Sequence, residues 1–446
     1  MKKKIILLVG LLGISNVWTM ERKYYYNDFI LSFGPESIFI TDNSKSGVFY
    51  SLPNSSAGIP DLSLSGQGFA QYDNTTSVAK VISPNSFGYV VAGTTSTGQF
   101  LKFILTDGTL GKTINLSVAN GSIRGLVYND ESDTVYVAIL NTSTFMLYIY
   151  AYNIFGELVE SFGTNGVASY SSIQGMTNNM IFSEKYLFIA INNGSEKEIY
   201  KIDTTTGTTT RSTDIGTLPY QIRIYNDYVY VIYTNTNHYI KRYALSDLTI
   251  DTDFGSSGTV DIAASTIAGD VADMIINDDG SLYFVTYLAA NYTGYIAKLL
   301  NGTTLDTNGW GTNGIVTING LGAFSLAGSF LLTFGAGSNG PFLYVYGDDD
   351  ASGKRIWSLN GSGNFITDSN IVSKNPFTIA IGLSSSINSM IIDANQKLVL
   401  GGTVSSIGAL WRYTSTSLLE EYFKANSKPD TAFGGGSAEG QTTTSN

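Results

Sequence analysis

The sequence predicts an all-β protein built from a repeated four-stranded unit. Three observations predict it: a short motif that recurs along the chain, a β-rich run that recurs between its copies, and a composition suited to strands and tight turns. The 446 residues include 29 Tyr and 48 Gly, with 13% aromatic and only 14% charged side chains. Abundant Tyr, Thr, Val and Ile together with Gly, Asn, Asp and Ser is how short strands joined by tight turns read.

The short motif appears as Phe162-Gly163-Thr164-Asn165-Gly166-Val167 and as Phe254-Gly255-Ser256-Ser257-Gly258-Thr259-Val260. It returns as Trp310-Gly311-Thr312-Asn313-Gly314-Ile315-Val316 and last as Phe433-Gly434-Gly435-Gly436. Each copy follows a polar or acidic turn, such as Asp251-Thr252-Asp253 or Asp306-Thr307-Asn308. Self-similarity of this kind marks a repeat architecture. A phosphate-cradling loop needs a following Lys-Ser/Thr and a helix, and neither is present. The aromatic is instead expected to pack between neighbouring sheets, with the glycines allowing a tight turn between repeats.

Between the copies lie β-rich runs that end in small residues. They are Ile38-Phe39-Ile40-Thr41, Tyr89-Val90-Val91-Ala92-Gly93, Val135-Tyr136-Val137-Ala138 and Leu187-Phe188-Ile189-Ala190. They continue as Tyr228-Val229-Tyr230-Val231, Leu282-Tyr283-Phe284-Val285, Leu343-Tyr344-Val345-Tyr346-Gly347 and Leu398-Val399-Leu400-Gly401-Gly402. Their spacing of about 40 to 60 residues suits one propeller-type blade per run. Turn clusters such as Asn129-Asp130-Glu131-Ser132 and Asn277-Asp278-Asp279-Gly280 precede many of them and read as hairpin turns. A further strand follows, for example Leu147-Tyr148-Ile149-Tyr150-Ala151-Tyr152 or Tyr295-Ile296-Ala297-Lys298-Leu299. Helical periodicity is confined to residues 416–426, which read as a late insertion.

A four-stranded sheet cannot cover both of its faces alone, and radial stacking of such sheets covers every internal face and leaves short edges. The expected fold is therefore a β-propeller of eight blades, with seven as the alternative, made of four-stranded antiparallel sheets. A linear solenoid is the rival; a chain end able to pair with the beginning favours ring closure. The expected organisation is a signal segment at 1–19 and one propeller domain at 20–446. Its repeats fall near 24–75, 76–120, 121–170, 171–216, 217–262, 263–318, 319–370 and 371–446.

Charge and the N-terminus bear on compartment and partners. With 25 basic against 36 acidic residues the net charge is −11, which disfavours nucleic acid. Met1-Lys2-Lys3-Lys4 followed by an apolar stretch to Trp18 reads as a signal peptide, too short for a membrane span. The absence of cysteine removes disulfides, thiolate metal sites and a lipid-anchor cysteine. A secreted or periplasmic protein, at the cell surface in one version of the reading, is expected.

The order strand, Asp-Gly-type turn, Val-Val-Ala-Gly, strand, then Leu-Asp-x-x-Phe-Gly-x-x-Gly-x-Val resembles the delta-60 repeat of bacterial β-propeller-like proteins. Residues 281–316 and 395–436 carry the resemblance best, and residues 77–118 carry its Val90-Val91-Ala92-Gly93 half without the Phe-Gly. Residues 178–215 and 324–367 keep only the strand order. The resemblance implies a secreted or surface-associated propeller and no particular activity.

Candidate chemistry is sparse. Asp348, Asp349 and Asp350 are the better calcium candidate and Asp278-Asp279-Gly280 the weaker, since hard cations take oxygen ligands. Both lack the spaced Asp-x-Asp-x-Asp-Gly loop and fall where hairpin turns are expected. No other cofactor is indicated. His238 is the only histidine and is expected in a solvent-facing loop, which leaves no basis for a catalytic triad. The functional expectation is a monomeric, non-enzymatic binding scaffold for an extracellular protein or glycan. The alternatives are a propeller hydrolase or lyase acting on an extracellular polysaccharide, and a structural envelope or adhesin component.

Overall fold

Contacts divide the chain into two units, one of Met1–Ser55 with Leu419–Asn446 and one of Ser56–Leu418. The computed structural model describes residues 22–26, 29–34, 37–42, 69–72, 77–82, 88–95, 97–105, 108, 110–177, 179–290, 292–319, 330–337, 340–349, 353–365, 377–378, 386–393, 397–404 and 407–414. The expected signal segment at 1–19, the helix at 416–426 and the Phe433-Gly434 copy lie outside the described residues. The first unit contains one antiparallel sheet of β1 (Arg22–Tyr26), β2 (Phe29–Gly34) and β3 (Ser37–Asp42), with Tyr26 opposite Phe29 and Gly34 opposite Ser37.

Among the described residues, the second unit is a ring of seven antiparallel sheets. It opens with β4 (Phe69–Tyr72). Blade I follows, made of β5 (Ser77–Ile82), β6 (Tyr89–Thr95), β7 (Gly98–Ile104) and β8 (Leu110–Leu116). Blade II holds β9 (Gly121–Asn129), β10 (Thr134–Asn141), β11 (Met146–Asn153) and β12 (Val167–Tyr170). In blade III, β13 (Gly175–Met176) and β14 (Ile181–Ser183) both pair with β15 (Tyr186–Asn192), which is followed by β16 (Lys197–Asp203) and β17 (Thr209–Arg211). Blade IV runs β18 (Gln221–Tyr225), β19 (Tyr228–Thr234), β20 (His238–Ala244) and β21 (Thr259–Ile262). Blade V has β22 (Asp270–Ile276), β23 (Leu282–Leu288) and β24 (Thr293–Leu300), with β25 (Thr304–Leu305) and β26 (Ile315–Ile318) along its far edge. Blade VI is β27 (Leu331–Gly337), β28 (Gly340–Asp349), β29 (Gly353–Leu359) and β30 (Phe377–Thr378).

Blade VII closes the ring. It contains β31 (Ser386–Ile392), β32 (Lys397–Val404) and β33 (Ile407–Thr414), and its fourth strand is β4 from the other end of the unit. Gly408 stands opposite Tyr72 and Trp411 opposite Phe69. The first strands β5, β9, β14, β18, β22, β27 and β31 neighbour one another in that order, and β31 and β32 return to β5. The count is thus seven, the alternative to the eight expected from eight β-rich runs. Seven of those runs are the second strands of the seven blades. The first, Ile38-Phe39-Ile40-Thr41, lies instead on β3 of the separate three-stranded sheet.

Each gap between blades has its own apolar core. Val90 and Leu101 of blade I meet Val135, Val137 and Ile139 of blade II, and Tyr136, Leu147 and Phe162 of blade II meet Leu187, Ile189 and Tyr200 of blade III. The pattern continues between III and IV, IV and V, V and VI, VI and VII, and VII and I. Second strands are accordingly buried along nearly their whole length, which explains why they read as continuous β-rich runs rather than alternating ones.

The recurrent motif adopts one conformation in its three described copies. Phe162, Phe254 and Trp310 are buried and pack edge-on against Tyr136, Tyr230 and Tyr283, with ring centroids 5.3, 5.7 and 5.0 Å apart. The next residue is glycine for a strict reason. Gly163, Gly255 and Gly311 have φ of 58°, 57° and 52°, and a Cβ would lie 2.4, 2.3 and 2.4 Å from a backbone carbonyl oxygen. The aromatic does sit in the gap between blades, as expected. The turn itself, however, joins the third strand to the outermost strand of one blade and not one blade to the next.

Candidate functional site

The first strand of each blade is the innermost, so these strands form the inner wall. Four of them carry a one-residue bulge at the same place, at Ala79 in β5, Arg124 in β9, Ala272 in β22 and Asn388 in β31. A bulge re-aims the neighbouring side chain, and in blade V that side chain is a carboxylate. Asp273 is only 4% exposed and accepts three donors. Its Oδ1 accepts the Met274 N–H at 2.8 Å and Arg223 Nη2 of blade IV at 2.9 Å. Its Oδ2 accepts the Leu332 N–H of blade VI at 2.9 Å. Arg223 Nη1 also donates to the Ile222 carbonyl at 2.9 Å and to Gln221 Oε1 at 3.1 Å. Asn179 Nδ2 of blade III donates to the same Ile222 carbonyl at 2.7 Å. One polar chain therefore ties four successive blades at the inner wall.

Similar ties operate farther out. Tyr89 of blade I donates its hydroxyl to Asp393 Oδ2 of blade VII at 2.6 Å and accepts Arg412 Nη1 at 3.0 Å. Burial, and then the charge of Asp393, push the Tyr89 hydroxyl well above the ordinary phenol range. Lys201 Nζ of blade III donates to the Leu245 and Ser246 carbonyls of blade IV at 2.8 and 2.7 Å. These charged groups are engaged in holding blades together, and such an arrangement positions strands rather than a reacting atom.

His238 is buried completely, contrary to the expected solvent-facing loop. It opens β20, where the turn 235–237 folds it back against the connection to blade V. Its Nε2 lies 2.8 Å from the Ile267 carbonyl, which can only accept, so this nitrogen carries the proton. Nδ1 then accepts from Thr234 Oγ1 at 3.1 Å. Burial holds the imidazole below its ordinary value, and it serves as a neutral tie. The apolar neighbours that bury it, among them Phe284 with ring centroids 5.9 Å apart, come from blade V and are invisible in the local sequence.

The structure describes the acidic candidates in part. Asp348 and Asp349 end β28, opposite Lys354 and Gly353 of β29, and Asp350 lies outside the described residues. The weaker candidate makes a turn: Asp279 Oδ1 accepts the Ser281 N–H at 2.8 Å, and the Asp278 carbonyl accepts the Tyr225 hydroxyl at 2.8 Å. Among the described residues, two grooves that open to solvent stand out. One, of about 400 Å³, is lined by Thr94, Thr95, Thr97, Gln99 and Asn120 between blades I and II. The other, of about 550 Å³, is lined by Thr266, Tyr295, Thr312, Thr317, Asn364 and Phe365 between blades V and VI. Gly311, which lines it, donates its N–H to the Ser362 carbonyl at 3.0 Å and so joins blades V and VI there. The second groove was not legible in the sequence, because its walls come from different repeats.

The ring of seven antiparallel sheets, each of four or five strands and with its first strand innermost, defines this protein as a β-propeller. It is similar to the WD40 β-propeller domain of Doa1, with a TM-score of 0.50 and 13% identity over 81% of this chain and 97% of that chain. The β-propeller domain of Cps50 (Swd1) from Myceliophteria thermophila aligns with a TM-score of 0.48 and 9% identity, over 78% of this chain and 98% of that one. The likeness is one of fold. No protein-family model matches the sequence, and no curated protein matches it. Among the described residues, no helix is long and apolar enough to cross a membrane.

Proposed function

We propose that this protein is a secreted or surface-exposed β-propeller that works as a non-enzymatic interaction scaffold. The observation that carries the reading is the commitment of Asp273 and Arg223 to backbone and cross-blade bonds at the inner wall. A catalytic carboxylate must be able to change protonation or attack, and Asp273, 4% exposed under three donors, is placed to hold strands. The solved WD40 propeller domain of Doa1, similar in fold, favours an interaction role by analogy of fold alone. The recurring Phe-Gly motif of the sequence is what the delta-60 reading rests on, and the basic-apolar N-terminus supports export from a bacterial cell.

The test has two parts. Purified protein is incubated with a panel of extracellular polysaccharides and with arrays of immobilised glycans and peptides. Binding without release of new reducing ends is expected; appearance of reducing ends that Asp273→Asn abolishes would replace the scaffold by a hydrolase. Sequencing the mature N-terminus should place cleavage near residue 19, and an intact Met1 in the exported fraction would sink the signal-peptide reading. A glycan ligand is the second reading, favoured by Tyr295 and Phe365 beside Thr and Asn side chains in the blade V–VI groove.

A further inference from the structure

Apolar side chains stand exposed at the rim shared by blades I and II, at the end of the ring that bears the first-to-second and third-to-fourth strand turns. Phe155 is 67% exposed and Leu158 43%, both on the turn between β11 and β12. This turn is firmly held. Asn153 Oδ1 accepts the N–H groups of Phe155 and Glu157 at 3.0 and 2.9 Å. The Ile154 N–H donates to the Asp133 carbonyl at 3.1 Å, which joins it to the β9–β10 turn. A Cβ on Gly156 would lie 2.8 Å from Lys112, 3.1 Å from Ile114 and 3.2 Å from Phe103, so the turn rests directly on β7 and β8 of blade I. Leu105, just after β7, and Leu110, the first residue of β8, are half exposed. Large apolar groups presented on rigid backbone, rather than tucked under it, mark an interaction surface.

Carboxylates frame these groups. Asp130, Glu131 and Asp133 are exposed on the β9–β10 turn, and Glu157 and Glu160 on the turn that carries Phe155. Lys112 is the cation that lies against it. We propose that this rim docks a protein partner through a basic amphipathic segment, its apolar side chains seated on Phe155 and Leu158 and its Lys or Arg residues facing the carboxylates. The proposal rests on the scaffold reading and names the partner class for it. Charge selects the occupant. A second copy of this chain would set the same carboxylates against each other, and an anionic lipid surface would be repelled. A basic segment is steered in by the field of a chain of net charge −11 and held by apolar contact that excludes water.

A random peptide library selected against the full chain tests this, with the enriched peptides then synthesised and titrated by fluorescence anisotropy. They are titrated on the wild type, on Phe155→Ser/Leu158→Ser and on Glu131→Gln/Glu160→Gln. All four side chains are exposed, so both variants should melt with the wild type. Peptides rich in Lys or Arg and apolar residues are expected, binding about tenfold more weakly to the first variant. The second variant should bind several-fold more weakly and show a shallower salt dependence. Enriched peptides that bind both variants like the wild type would overturn this site and leave the scaffold reading standing. Acidic or uncharged peptides that depend on Phe155 and Leu158 would overturn the partner class. Failure to enrich any peptide would count against the scaffold reading itself, and the proposal would fall with it.

Discussion

Removing Arg242 alone, Asp251 alone and both together tests whether the blades hold interchangeable solutions to one packing problem. In blade IV, Arg242 Nε and Nη2 each lie 2.6 Å from Asp251 Oδ2, and the two side chains are 19% and 13% exposed. The guanidinium also lies 4.2 Å from the Tyr228 ring and 4.5 Å from the Phe254 ring. Blade V repeats the pair as Lys298 and Asp306, 2.9 Å apart. Blade II has Ala151 and Val159 at the same two places. The equivalence follows from the backbone: the Val159, Asp251 and Asp306 N–H groups donate to the Ala151, Arg242 and Lys298 carbonyls, each at 2.9 Å. Arg242→Ala strands a largely buried carboxylate, and Asp251→Val strands the guanidinium; each should cost about 2 kcal/mol. The double variant installs the blade II solution and should cost about 1–2 kcal/mol, a coupling of about 2–3 kcal/mol. Urea unfolding of the four proteins, followed through one transition by near-ultraviolet circular dichroism, measures it. Additive losses, with coupling below about 0.5 kcal/mol, would refute the equivalence.

Three further outcomes follow from the same geometry. Gly255→Ala forces a Cβ to 2.3 Å from the Thr259 carbonyl oxygen at φ 57°, and should cost about 2 kcal/mol or more; an unchanged melting temperature would contradict the turn. Trp310 buries an indole N–H that has no acceptor among the described residues, where the other three copies of the motif have Phe. Trp310→Phe should therefore stay within about 1 kcal/mol of the wild type, against about 3–5 kcal/mol for Trp310→Ala, and similar losses for both would refute this. Burial holds the His238 imidazole below its ordinary value, so the unfolded chain takes up a proton near pH 6.5 that the folded chain refuses. Stability should be intact above about pH 6.5 and fall below it; His238→Gln should flatten that slope between about pH 5 and 6.5, where no other histidine titrates. An identical slope in the variant would show that His238 is not its source.

Several features were legible because they are local. The glycine after the motif aromatic in the three described copies is required by a positive φ within one turn, and the turn needs nothing from the rest of the chain. The second strands were legible because both of their faces are covered, which demands unbroken apolar runs such as Val135-Tyr136-Val137-Ala138. The hairpin at 277–280 was legible from Asp and Gly chemistry, and the Asp279 carboxylate does accept the backbone N–H that such a turn leaves free. The candidate surface was not legible. Phe155 reads as one more aromatic in an aromatic-rich chain until the Gly156 turn is seen lying on blade I with Phe155 directed outward.

By itself, then, the sequence determined the repeating unit: four short strands, an apolar second strand and a glycine-dependent turn before the outermost strand. These follow from steric limits on φ and from the need to cover both faces of a sheet. The tertiary structure alone decided how many units make the ring, because the count depends on β4 pairing with β33 across more than three hundred residues. It alone decided that His238 is buried, since its cover comes from the next blade. It also decided which acids are staples and which remain on the surface: both Asp273 and Glu160 are carboxylates, but only Asp273 is buried under the Met274 N–H of its own strand, Arg223 of blade IV and the Leu332 N–H of blade VI.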